Sequence, residues 1–131
     1  RSSDLEFPRF LQLAVKIAES NEYYPKWRLA SIAVKGGSVL SVGQSRLNSD
    51  PSQCDFKVAG VKELISVHAE KDCLSRCGNP SRATLYLARV GRNGLPSMAK
   101  PCVNCQRMLR IAGVRRVIYT VDEHTFATWI P

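Results

Sequence analysis

A chain of 131 residues buries enough apolar surface to fold without a disulfide or metal staple. Lys and Arg number 19 against 11 Asp and Glu, giving a net charge of +8 and a pI near 9.6; this favours phosphate-bearing partners without selecting nucleic acid over small anions. An odd count of 5 cysteines argues against a disulfide scaffold. No apolar run of about 18 residues marks a membrane span, no charged-then-apolar leader marks a secretory signal, and a reducing cytoplasm is the expected setting. The chain opens at Arg1 and not at methionine, as a trimmed or excised chain would.

In chain order, Leu5 to Ser20 places Phe10, Leu11, Ala14, Ile17 and Ala18 on one face at helical spacing, which predicts a first amphipathic packing helix. Leu29 to Lys35 and Ser38 to Gln44 read as strands joined by Gly36-Gly37, a pair of residues suited to a tight hairpin turn. Asn48 to Gly60 has no periodicity and reads as a long loop. A helical pattern then runs from about Val61 to Cys77 and stops at "CGNPS", Cys77 to Ser81. Thr84 to Val90 is a strand, "GRNGLPSMAK" a loop, Cys102 to Ala112 a helix stopped by Gly113, and Arg116 to Val121 a strand. With no repeat or linker, this order predicts a single domain over 1–131. Its expected fold is an α/β three-layer α/β/α sandwich, with about five strands in a mixed sheet opening on a hairpin and right-handed crossovers.

The pair in "KPCVNCQRMLR", Lys100 to Arg110, fits three chemistries by itself: a redox pair, part of a metal site, or buried packing. A redox pair would follow the first strand of its fold, whereas this one comes late, and a four-cysteine structural zinc site needs a second CxxC that the chain lacks. "VHAEKDCL" supplies what is missing. His68, Cys102 and Cys105 give one imidazole and two thiolates, the three protein ligands of a catalytic zinc that keeps one position open. Glu70, two residues from the histidine, is then left to move protons. The cysteines gain from a helix N-terminus, which stabilises thiolates, and Pro101 suits the turn into that helix.

His-x-Glu with Pro-Cys-x-x-Cys, here "HAE" at 68–70 and "PCVNC" at 101–105, is the signature of zinc-dependent nucleobase deaminases. From the first helix through "GVRRVIYT" the chain resembles the cytidine and deoxycytidylate deaminase superfamily, most closely its short phage and bacterial members. The resemblance implies Zn2+ as cofactor, hydrolytic conversion of cytosine to uracil in a nucleotide or nucleoside, and Glu70 as proton shuttle. It also implies base contacts from the backbone amides of Ala69 and Cys102 beside Pro101, and a sugar contact from Asn48 or, in another register, Ser45. Asp50 stands where many of these proteins have a histidine. The tRNA adenosine deaminases carry methionine between their cysteines, where this chain has Val103-Asn104, and polynucleotide editors carry Trp-Ser before Pro-Cys, where it has Met98, Ala99 and Lys100. A free cytosine nucleotide or nucleoside therefore ranks first as partner, single-stranded DNA or RNA second, and adenosine in tRNA third; a zinc-stabilised binding module is the non-enzymatic alternative. Oligomeric state stays open.

Arg89, Arg92, Lys100, Arg107, Arg110, Arg115 and Arg116 flank the motif and form either a substrate stripe or a solvated surface. Tyr23, Tyr24, Trp27, Phe56, Tyr119, Phe126 and Trp129 are the candidates to stack a base, more than half of them expected to pack instead. Cys73 and Cys77, one turn apart, are expected as buried thiols facing the sheet. Cys54 is expected as a free thiol, with a second zinc site open, and His124 as a surface residue.

Overall fold

The computed structural model describes residues 7–21, 28–45 and 68–131. Helix α1, Arg9–Glu19, starts at Pro8, whose carbonyl accepts the first helical bond from Gln12 N–H at 2.9 Å. It buries Leu11, Ala14, Val15 and Ala18, a stripe one position wider than the expected one because Val15 also turns inward. Strands β1, Arg28–Lys35, and β2, Ser38–Gln44, pair antiparallel across Gly36 and Gly37, whose φ angles of +59° and +79° are those a two-residue hairpin turn demands.

Helix α2, Ala69–Arg76, is followed by β3, Thr84–Val90; the first part of the predicted 61–77 helix lies outside the described residues. Helix α3, Val103–Ala112, closes on Gly113 at φ +78°, and β5, Arg116–Thr120, follows. Two strands escaped the sequence reading. β4, Pro96–Ser97, sits inside the expected loop of 91–100, where Gly91 N–H bonds the Leu95 carbonyl at 2.9 Å and folds the chain back on β3. β6, Phe126–Trp129, pairs antiparallel with β5 after a turn at 122–125.

Among the described residues the sheet has six strands, one more than the expected five or so, in the order β2-β1-β3-β5-β6 with β4 on β3. β1 is antiparallel to both neighbours, while β3 and β5 run parallel with α3 between them in sequence. Side-chain alternation splits the core in two. Ala30, Ile32 and Val34 of β1 with Ala88 and Val90 of β3 pack on α1. Ala33, Leu85, Leu87 and Val117 pack on the other face with Ala69 and Cys73 of α2 and Leu109 of α3. This is the expected three-layer α/β/α arrangement, with both motif-bearing helices on one side. No helix of the described residues is long and apolar enough to cross a membrane.

Candidate metal and catalytic centre

Each half of the motif opens a helix. His68 is the N-cap of α2 at φ −75°, ψ 150°, and Cys102 is the N-cap of α3 at φ −68°, ψ 167°. Both helices begin at one end of the sheet: Gln44 N–H, at the end of β2, bonds Asp72 Oδ2 at 2.9 Å, and Ala99 N–H bonds the carbonyl of Thr120, at the end of β5, at 2.9 Å. This end is where crossover folds leave a crevice for ligands.

His68 Nδ1 lies 3.2 Å from Cys105 Sγ and 3.8 Å from Cys102 Sγ, and the three donor atoms all lie within 4.8 Å of one another. Ligands on a tetrahedral zinc, with Zn–S about 2.3 Å and Zn–N about 2.0–2.1 Å, stand about 3.5 Å apart nitrogen to sulfur. The donor set therefore fits zinc in kind, number and spacing. Cys102 is exposed and Cys105 buried. A hydrogen bond from Cys105 draws the Cys102 thiol down to about 4; the same bond, and then burial, pushes Cys105 up. The downward shift at Cys102 agrees with its place at a helix N-terminus, where thiolates are stabilised.

Glu70, 3% exposed, is enclosed in the first turn of α2. Burial pushes its carboxyl up, against the opposing field of His68 and a hydrogen bond involving Cys105. A carboxyl kept beside three metal donors and out of bulk water is placed to exchange protons with a group bound there.

Three contacts that the sequence reading missed hold α2 against β2. Gly43 lets the helix backbone approach so closely that a Cβ there would lie 2.3 Å from Cys73 N and 2.4 Å from the Ala69 carbonyl oxygen. Ser41 Oγ donates to the Cys73 carbonyl at 2.9 Å, and Asp72, 7% exposed, accepts from Gln44 as above while pairing with Arg76 Nε at 3.4 Å. An isolated glycine in a strand pattern was the available signal.

Among the predicted substrate contacts, Ala69 and Pro101 are buried at the two helix starts. Ser45 is also buried; its Oγ accepts from Leu29 N–H at 3.1 Å and from Asn21 Nδ2 at 3.0 Å, which ties the end of β2 to β1 and α1. Asn48 lies outside the described residues, as do Asp50, Cys54, Tyr23, Tyr24, Trp27 and Phe56. Cys73 is fully buried with its thiol 3.2 Å from Ser41 Oγ, while Cys77 is only half-buried at the end of α2. His124 is exposed beside Glu123, at 3.7 Å.

Each stacking candidate among the described residues has a contact within the protein, although Phe126 stays exposed. Tyr119 is buried, Trp129 lies under the Arg110 guanidinium at 5.3 Å, and Phe126 meets Phe7 edge-on at 6.1 Å on the α1 side. Lys100, Arg92, Arg107, Arg110 and Arg115 are exposed, whereas Arg89 and Arg116 are half-buried.

Thr120 couples the strands to the Cys102 turn. Its hydroxyl, fully buried, donates to the Ser97 carbonyl at 2.7 Å and accepts from Arg89 N–H at 3.2 Å. Thr120→Val orphans both groups and lowers stability by about 2 kcal/mol; Thr120→Ser restores most of it in denaturant titrations. Equal stability of the valine and serine variants would contradict this role.

Residues 6–121 match the family model described as the cytidine and deoxycytidylate deaminase zinc-binding region. The chain belongs to this deaminase family. Among solved structures, the dCMP deaminase of cyanophage S-TIM5 in complex with dCMP and dUMP shares 18% identity at a TM-score of 0.58, over 84% of this chain and 76% of that one. The apo form of the same enzyme gives 22% and 0.54 over 86% and 83%. RibD of Acinetobacter baumannii gives 21% and 0.51 over 90% of this chain but only 28% of its own length. At these identities the likeness carries the deaminase fold. No curated protein matches the chain significantly.

Proposed function

We propose that the chain hydrolyses cytosine to uracil in a cytidine or deoxycytidine nucleotide or nucleoside, with zinc held by His68, Cys102 and Cys105. The observation that carries the proposal is the enclosure of Glu70 beside those three donors, a carboxyl that no ligand set of three needs. Family membership supports the same chemistry, and the S-TIM5 enzyme described with dCMP and dUMP supports a pyrimidine nucleotide.

When bound, zinc supplies the Lewis acidity that brings the attacking water's pKa toward neutrality. The carboxylate of Glu70 takes a proton from that water and delivers it to the ring nitrogen beside the amine-bearing carbon. It then carries the second proton to the amine, which leaves as ammonia, so that water and cytosine become uracil and ammonia. The backbone amides of Ala69 and Cys102, at two helix starts, orient the base, and Pro101 closes the turn beneath it. Asn48 or Ser45 is the proposed sugar contact; Ser45 Oγ already accepts from Leu29 and Asn21 and keeps its hydroxyl hydrogen to donate.

The match over 6–121 supports treating the whole chain as one deaminase domain, and the four free thiols of the described residues suit a reducing cytoplasm. Stripping the metal with a chelator abolishes turnover, and one equivalent of zinc restores it; full activity in protein shown to be metal-free would sink the proposal.

A further inference from the structure

The β3–β4 hairpin carries a polar pair on the face of the sheet that packs against α2 and α3. Leu85 and Leu87 of β3 face α2 and α3, while Ala88 and Val90 face α1. Alternation therefore turns Arg89 to the side of the metal-binding helices, at the C-terminal end of β3. Ser97 is its direct partner on β4, and opposed residues share a face. On the other flank Arg89 pairs with Leu29, next to Ala30, whose own partner is Gln44, the residue that anchors the start of α2. Thr120 bonds the backbones of both members and, through Ala99, the turn that leads to Cys102. Arg89 and Ser97 thus sit at the same end and on the same face of the sheet as the donor triad.

Their state points to a ligand. Arg89 is half-buried, and burial alone lowers its pKa. Ser97 Oγ is buried and has no hydrogen-bond partner among the described residues, a state that costs stability if nothing binds it. Arg89 interacts within the protein, yet a guanidinium has five N–H donors and holds capacity for an anion as well. A fork plus a hydroxyl is a donor set for phosphate oxygens.

We propose that Arg89 and Ser97 form the subsite for the phosphate monoester of a free cytosine nucleotide. The inference rests on the deaminase reading above and makes these two residues the selectors of nucleotide over nucleoside.

The test compares zinc-loaded wild type with Arg89→Ala, Arg89→Lys and Ser97→Ala. Substrates are dCMP, CMP, their nucleosides and a cytosine-containing oligonucleotide, and dUMP binding is followed by calorimetry. Wild type prefers the monophosphates by about 100-fold in kcat/KM. Arg89→Ala removes that preference, chiefly through KM, with only a few-fold change on the nucleosides; Arg89→Lys retains part of it. Ser97→Ala lowers nucleotide kcat/KM about five-fold. Zinc content and circular dichroism check that each variant is folded.

Loss of equal size on nucleotide and nucleoside, or a wild type without preference, overturns the subsite. An oligonucleotide preferred by wild type and lost in Arg89→Ala overturns the monoester and transfers the site to a backbone phosphate. If nothing is deaminated, the deaminase reading fails, and dUMP decides the subsite separately: binding that Arg89→Ala weakens about 100-fold upholds it, and no binding overturns it.

Discussion

Replacing Glu70 with glutamine lowers kcat for cytosine deamination by roughly 10²- to 10⁴-fold while zinc stays bound at one per chain. Glutamine keeps the size of the side chain and its capacity to hydrogen-bond, but it cannot accept a proton and release it again. The three metal donors come from His68, Cys102 and Cys105, so the substitution leaves the donor set whole. Burial also makes the neutral amide easy to accommodate, since the native carboxyl is already held out of water. Parallel measurement of turnover and metal content checks this. Retained turnover removes Glu70 from the mechanism, and loss of zinc along with turnover makes it part of the metal's support.

The second large effect falls on a residue with no side chain. A methyl group at Gly43 would lie 2.3 Å from Cys73 N, 2.4 Å from the Ala69 carbonyl oxygen and 2.7 Å from Cys73 Cα. All three are backbone atoms, so no rotamer change relieves the overlap, and α2 must move off β2. Gly43→Ala therefore destabilises by about 3 kcal/mol. It also weakens zinc binding, because His68 and Glu70 ride on the first turn of the displaced helix. Gly78→Ala, where nothing lies within 4 Å, is the control and changes stability by less than about 0.5 kcal/mol. Urea titration and chelator competition read both quantities; indistinguishable alanine variants would remove the close approach from the account.

Local chemistry made much of this legible in the sequence. Gly36-Gly37 could serve as a two-residue turn because glycine alone takes both positive φ angles without strain, and the motif named the donor triad because zinc demands that set of atoms. The β3 and α3 spans were readable from their own periodicity to within a residue.

What stayed hidden is held by partners outside the element itself. β4 has two residues and β6 four, too few for an alternation to show, and each exists because a longer strand offers it a ladder. The approach of α2 to Gly43, the bond from Gln44 to Asp72 and the clamp at Thr120 are tertiary events with only a lone glycine or a buried threonine as trace. The packing of the described aromatic candidates is likewise a tertiary matter. Trp129 packs under Arg110, and Phe126 belongs to the α1 side, a face that composition does not specify.

Mass spectrometry of zinc-loaded protein incubated with cytidine, deoxycytidine, CMP, dCMP, a cytosine-containing oligonucleotide and an adenosine stem-loop in 18O-labelled water tests the central claim most directly. The predicted result is conversion of a cytosine monomer to uracil with one labelled oxygen on the former amine-bearing carbon, absent in Glu70→Gln. Deamination confined to the polynucleotide or to adenosine would contradict the substrate assignment, and no deamination by protein carrying one zinc per chain would contradict the enzyme itself.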